Sequence, residues 1–263
     1  ATSTAGDATG FYANGSIFID GGLTGKVTVN SGRNETGGAD GLFAASMLDI
    51  DGDVSGQVTV YGSAGAAGLA GVSGLHTGNL SGAVKVTSDN NAYGLACWDD
   101  EINIYGALSG SVSAKGSDAY GLYADGDVGI ENGITGTITA TGTAGACGIH
   151  AGGYISDGDG GPLKITGSVK VTGNAGEDDN VKAIVSHNGM NLWISGTVSA
   201  VSRTGTAYAI RGLGYGDDTV ELTTGATIVG DIDLGWDSSH EPSPLAAAPV
   251  NGFGPGDTLI LSG

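Results

Sequence analysis

Ala119-Tyr120-Gly121-Leu122-Tyr123-Ala124-Asp125-Gly126-Asp127-Val128-Gly129-Ile130-Glu131-Asn132-Gly133-Ile134-Thr135-Gly136-Thr137-Ile138-Thr139-Ala140 holds, in order, each part that recurs along this chain. It opens with Ala-x-Gly, a large apolar residue, any residue and a small one. It passes through the alternating pair Val128/Ile130. It closes on an aliphatic residue, Ser or Thr, and Gly, followed by alternating apolar residues. The opening motif recurs around Gly10, Gly41, Gly68, Gly94 and Gly148, and with Ala in place of Gly at Ala183 and Ala209. The closing motif recurs around Gly25, Gly56, Gly82, Gly110, Gly167 and Gly196, and as Ile228-Val229-Gly230 with Val for the hydroxyl; its glycines are 26 to 34 residues apart. Middle pairs such as Ile17/Ile19, Leu48/Ile50 and Ile102/Ile104 keep the same order.

Period-2 alternation over four to six residues reads as strand. Each unit therefore holds two or three short strands, none able to bury a face alone. Stacking every unit on the one before buries them all, which predicts an all-β parallel β-helix, a β-solenoid of about eight coils. With coils about 4.8 Å apart, eight make a rod of roughly 40 Å. Residues 1–237 carry the repeats. Residues 238–263 read as a loop with Pro242, Pro244 and Pro249, then a final strand at Thr258–Leu261 continuing the same solenoid. Leucine-rich repeats would need an internal Asn/Cys ladder, propeller blades longer repeats, and hexapeptide helices a six-residue period; none is present.

The columns separate inside from outside. After the opening Gly or Ala stands a large residue: Phe11, Leu42, Leu69, Leu95, Leu122, Ile149, Ile184, Ile210. Two places on it is small: Ala13, Ala44, Gly71, Cys97, Ala124, Ala151, Ser186, Gly212. Restricted size marks a packed interior. The position between them and the one before the anchor are unrestricted and are expected to face solvent. Length variation falls in Asn30–Gly38, Gly152–Gly161 and Asn174–Asn180, polar stretches suited to corners.

Composition agrees with many tight turns: 52 of 263 residues are Gly, about three times ordinary usage, without a Gly-X-Y period. With 28 acidic and 9 basic residues the net charge is −19, which repels phosphate backbones and makes nucleic acid a poor partner. No apolar run reaches the roughly 18–20 residues of a membrane helix.

Chemical motifs are sparse. No phosphate loop, His-Glu-x-x-His or Cys-x-x-Cys is present, and His76, His150, His187 and His240 are scattered in the repeat frame. Cys97 and Cys147 are two coil steps apart, about 9–10 Å, beyond disulfide reach, so two free thiols are expected. The carboxylates of Asp99-Asp100-Glu101, Asp157/Asp159, Glu177-Asp178-Asp179 and Asp217-Asp218 fall in turns of different units. Gly214–Asp218 and Gly254–Asp257 partly match a calcium nonapeptide, but are about 40 residues apart where such rolls use successive turns. No metal or cofactor is expected. The remaining candidate is an outward aromatic face of Tyr12, Phe43, Tyr93, Tyr120, Tyr123 and His150, suited to binding sugars or a protein, or to cross-strand stacking.

The C-terminal phrasing Gly214-Tyr215-Gly216-Asp217-Asp218-Thr219-Val220-Glu221-Leu222, then Gly230-Asp231-Ile232-Asp233-Leu234-Gly235, then Gly256-Asp257-Thr258-Leu259-Ile260-Leu261-Ser262-Gly263, resembles that of bacterial autotransporter passenger domains near the passenger's end. The Gly/Thr/Ser-rich repeats upstream are of the same kind. The resemblance implies a right-handed parallel β-helix, displayed on the cell surface and exported across the outer membrane by a β-barrel outside these residues. Protease and esterase passengers carry Gly-Asp-Ser-type blocks that are absent here. The expected function is a non-enzymatic adhesin or structural stalk; the alternative is a polysaccharide-active β-helix enzyme. The expected partners are a host-cell glycan or protein, or another copy of the chain.

Overall fold

A computed structural model of the protein describes residues 1–3, 6–31, 38–174, 181–214, 216–235 and 257–262. Its strands are parallel and wind into a β-solenoid of about eight turns, with no helix among the described residues. Each coil contributes strand residues to three faces. The opening motif forms the first face: Ala8–Ala13, Gly38–Ala44, Gly65–Gly71, Asn91–Cys97, residues 118–124 and 145–151, Val181–Ser186, Ala207–Gly212 and Asp231–Leu234. The middle pairs form the second face, from Ile17–Ile19 to Asp218–Leu222, and Thr258–Leu261 pairs in parallel with Asp218–Leu222 as its last rung. The closing motif forms the third face, from Lys26–Ser31 to Thr227–Val229. The third and first faces share one 16-stranded sheet, because Ser111–Ala124 and Thr137–Ala151 run unbroken round the corner; the second face is a 10-stranded sheet. Gly152–Gly161 is less of a loop than its composition suggests, since it includes the second-face strand Ile155–Ser156. Most of Asn30–Gly38 and Asn174–Asn180, and all three prolines of 238–250, lie outside the described residues.

The core is the set of inward columns. Leu42, Leu69, Leu95, Leu122, Ile149, Ile184 and Ile210 are fully buried, as is the rung Val54, Leu80, Leu108, Ile134 and Ile165 between the second and third faces. Each such side chain contributes about 1.5–3 kcal/mol by leaving water. Phe11 departs from its column. It is 55% exposed, because Leu42 covers one side of it and no described residue covers the other.

Two glycine ladders let the coils approach. A Cβ on Gly56, Gly82, Gly110, Gly136 or Gly167 would lie 1.9–2.1 Å from the carbonyl oxygen of the corresponding glycine one coil earlier. A Cβ on Gly41, Gly68, Gly94 or Gly121 would lie 2.3–2.5 Å from the carbonyl oxygen of the next anchor glycine. Both motifs keep glycine for this close approach. The register corrects the last closing motif. Thr197 pairs with Thr227 and Val198 with Ile228, so Ala226, not Gly230, stands in the ladder position. Gly230, at φ +113°, instead turns the chain between Thr227–Val229 and Asp231–Leu234.

Candidate functional site

Alternation along the first face sends two columns outward, one before each anchor and one two residues after it. Parallel pairing stacks their members: Tyr12 on Phe43, Tyr93 on Tyr120, and Tyr123 on His150. These three register pairs are the parallel-stacked rings, with centroids 5.6, 5.2 and 4.8 Å apart and planes within 5°, 10° and 4°. Edge contacts join the stacks. Tyr93 meets Tyr123 at 5.6 Å and 72°, and Tyr120 meets Tyr123 at 5.2 Å and 82°. All six residues singled out from the sequence therefore belong to one surface.

Two further rings complete it. Trp98 spans from Phe43 (5.9 Å) to Tyr93 (6.1 Å), and His187 extends the far end from His150 (5.2 Å). Trp98 and His187 occupy the same frame position, immediately after the small inward residue, where the chain leaves the face for the corner. The result is a ribbon of eight rings, Tyr12, Phe43, Trp98, Tyr93, Tyr120, Tyr123, His150 and His187. Offset and edge-to-face contacts of this kind contribute about 0.5–1.5 kcal/mol per pair beyond area burial.

The ribbon changes the reading of the unrestricted columns. They point outward, but Ala67, Ala70 and Ala96 are buried beneath Phe43, Tyr93 and Trp98 in a second, external apolar cluster. Val185 and Cys147 are buried as well. Short side chains between tall ones lose their water to their neighbours, whichever way they point.

Five of the ribbon's ionisable groups, Tyr93, Tyr120, Tyr123, His150 and His187, are held neutral. Burial, followed by the charges of neighbouring groups, pushes the Tyr120 phenol up to about 12. Burial also raises Tyr93 and Tyr123; Tyr123 is raised further by donating its hydroxyl to Asp125 Oδ1 at 2.6 Å. Burial, then the nearby His187 and Lys182, lowers His150 to about 4, and burial lowers His187. Protonated phenols and neutral imidazoles stack and form hydrogen bonds. Beyond the ribbon, the Arg211 guanidinium lies 4.2 Å from the Tyr208 ring centroid and 3.7 Å from Asp233.

The other sequence candidates fall elsewhere. Cys97 and Cys147 are free and buried, and their thiols each contact a carbonyl at 3.4 Å, those of Val72 and Ile149. Glu101 lies 3.5 Å from His76 and accepts from Asn103 at 2.6 Å on the second face. Among the described residues, no three His, Cys, Asp or Glu side chains are grouped to hold a metal ion. The partial calcium motifs, 40 residues apart in sequence, are neighbours in space. Thr219 pairs with Thr258, and the Asp218 amide donates to Asp257 Oδ1 at 3.0 Å. Asp218 takes the inward position of Met190's column, almost fully buried, with Oδ1 lacking a hydrogen-bond partner. Burial, then Asp257, pushes it up to about 7. Tyr215 and Gly254–Gly256 of those motifs lie outside the described residues.

The chain is thus a parallel β-solenoid with an aromatic ribbon on one outward face. No protein-family model, curated protein sequence or solved structure matches it.

Proposed function

We propose that this chain is a non-enzymatic, adhesive segment of an autotransporter passenger, displayed on a bacterial cell surface and exported through a β-barrel outside these residues. The observation that carries the reading is the continuous ribbon from Tyr12 to His187. It runs over six coil steps, roughly 30 Å. The inward columns already supply an aliphatic core, so the external rings are surplus to closing the solenoid. Tyr12 keeps 62% of its surface in water. Rigid aromatic surface that keeps its polar tips is the residue type enriched where proteins bind. A ribbon ordered by the coils beneath it loses little entropy when a partner docks. The partner is a host-cell glycan or protein, and the −19 charge disfavours nucleic acid. The passenger assignment is supported by the Gly-Asp-Thr and Gly-Asp-Ile-Asp-Leu-Gly phrasing together with the solenoid.

Adhesion of the purified chain to cells and to glycan and protein arrays tests this. The native chain binds, and the double variant Tyr93→Ala/Tyr120→Ala loses binding while keeping its β-sheet circular dichroism. Absence of native binding would reduce the chain to a stalk and overturn the adhesive reading.

A further inference from the structure

The outward row Tyr93, Tyr120, Cys147, Lys182, Tyr208 changes height at Cys147. Long side chains flank it on both coils, while Cys147 ends at a buried sulfur. On the same coil Gly145, the register partner of Asp118, has no side chain at all. Two shortened neighbours open a recess of about 240 Å³, walled by Tyr120, Asp118, His150 and Lys182 over a floor that includes Cys147 and Gly145.

The walls differ in chemistry. Tyr120 spends one ring face on Tyr93, at 5.2 Å and 10°, and borders the recess on its other side. His150 stands nearly perpendicular to it at 86°. The lowered His150 remains neutral near pH 7, so its ring nitrogens can donate and accept. Asp118 offers acceptors and Lys182 donors at the rim. Tyr120 and Lys182 are two coil steps apart, roughly 10 Å. A ring lying on Tyr120 at about 3.5–4 Å leaves its far edge within reach of the ammonium.

A ligand that matches these walls has apolar flat faces and polar groups around its edge. A pyranose has that shape: C–H bonds on its faces, hydroxyls at its rim. An aromatic side chain would set apolar edges against Asp118 and Lys182, at a desolvation cost. An anionic ligand would add charge beside Asp118 in a chain of net charge −19. We propose that this recess is a subsite for one neutral hexopyranose unit of a glycan, stacked on Tyr120 and hydrogen-bonded by Asp118 and Lys182. The inference rests on the adhesive reading above and names its ligand class and place.

The test titrates the purified chain with the methyl glycosides of glucose, galactose, mannose and N-acetylglucosamine, followed by calorimetry and by the His150 ring signals in NMR. At least one glycoside is expected to saturate the chain with a Kd of about 1–10 mM, the range for a ligand of this size. Tyr120→Ala removes the platform, Cys147→Leu fills the floor, and Asp118→Asn alters the rim with little change in shape. Each is expected to weaken binding by about tenfold or more, while Tyr105→Ala on the second face leaves it unchanged. Melting temperatures confirm which variants are folded, and Asp118→Asn serves if Cys147→Leu is not. If the folded recess variants titrate like the native chain, or no glycoside saturates below about 50 mM, the subsite is overturned. Adhesion of the same proteins to glycan-coated surfaces separates the two readings. Native, Asp118→Asn and Cys147→Leu chains adhering equally would keep the adhesive ribbon and remove only the subsite; a native chain that adheres to nothing would remove both.

Discussion

Replacing Gly110 with Ala should cost far more than its one methyl group suggests. The new Cβ would lie 1.9 Å from the carbonyl oxygen of Gly82 and 2.6 Å from the carbonyl carbon of Ser81. Ordinary contact begins near 3.4 Å, so the coils must part locally by roughly 1.5 Å, about a third of the coil spacing. The bonds at that point are Gly110 N to Leu80 O and Ser111 N to Gly82 O, both 2.9 Å. Losing or stretching two such bonds costs about 1 kcal/mol each, and overpacking adds about 1–3 kcal/mol. Ala stiffens the unfolded chain and returns about 0.4–1 kcal/mol. The net expectation is a loss of about 2–5 kcal/mol. Gly25 is the internal control: it holds the same motif position in the first coil, and a Cβ there meets nothing within 4 Å. Gly25→Ala should be neutral, or stabilising by a few tenths of a kcal/mol to about 1. Ala226 shows how the chain itself accepts a methyl at this position: the eighth coil reaches it through a turn two residues longer, closed by Ala226 N donating to Thr223 O. Urea and thermal unfolding by circular dichroism, read as the midpoints of both variants against native, provide the measurement. Because solenoid stability is carried by nearest-neighbour interfaces, a central loss should lower the main transition. If Gly110→Ala melts with or above Gly25→Ala, the close-approach account of the glycine ladder is wrong.

Asp218 sets a pH dependence: its carboxyl is raised from 3.8 to about 7, so its share of stability is full below the ordinary carboxylate range and is lost as pH rises through about 7. Asp218→Asn should flatten that dependence and protect Thr258–Leu261 in hydrogen exchange at pH 8. Trp98→Ala uncovers Ala67, Ala70 and Ala96 and breaks the bridge from Phe43 to Tyr93; a loss of about 1–3 kcal/mol is expected by thermal unfolding, with weakened adhesion. The thiols of Cys97 and Cys147 are buried and raised, Cys147 to about 12. An aromatic disulfide reagent should therefore titrate both in denaturant and neither promptly in the native chain; rapid native labelling would contradict their burial.

The strand faces were readable because alternation has a fixed period of two. Leu122 in and Tyr123 out follow from Gly121-Leu122-Tyr123-Ala124 alone, and size restriction in seven other copies told interior from exterior. Parallel stacking of like motifs then made column neighbours into spatial neighbours, so Tyr93 and Tyr120 were legible as a pair. Corners have no period. Trp98 follows the inward Cys97 directly, and only its path back over Ala70 and Ala96 makes it part of the ribbon; the legible trace was a run of outward alanines that something large had to cover. The register of the eighth coil escapes the motif for a related reason. Ile228-Val229-Gly230 imitates the closing motif, while the longer turn after Leu222 moves Ala226 into the ladder.

By itself, the sequence determined the solenoid, its three-strand coil and the inward columns, since each depends on local alternation and on repetition of side-chain size. Tertiary structure alone decided what the outward columns become. Ala96 and Tyr123 share a column, yet one is buried and the other is a half-exposed ring. Exposure on an outer face is set by the height of lateral neighbours, which belong to other coils. The same holds for the recess beside Tyr120, shaped by Cys147 and Gly145 one coil on, and for Asp218 and Asp257. Those two residues are 39 apart along the chain and meet because Asp218–Leu222 and Thr258–Leu261 pair in parallel, which sets the Asp218 amide against the Asp257 carboxylate.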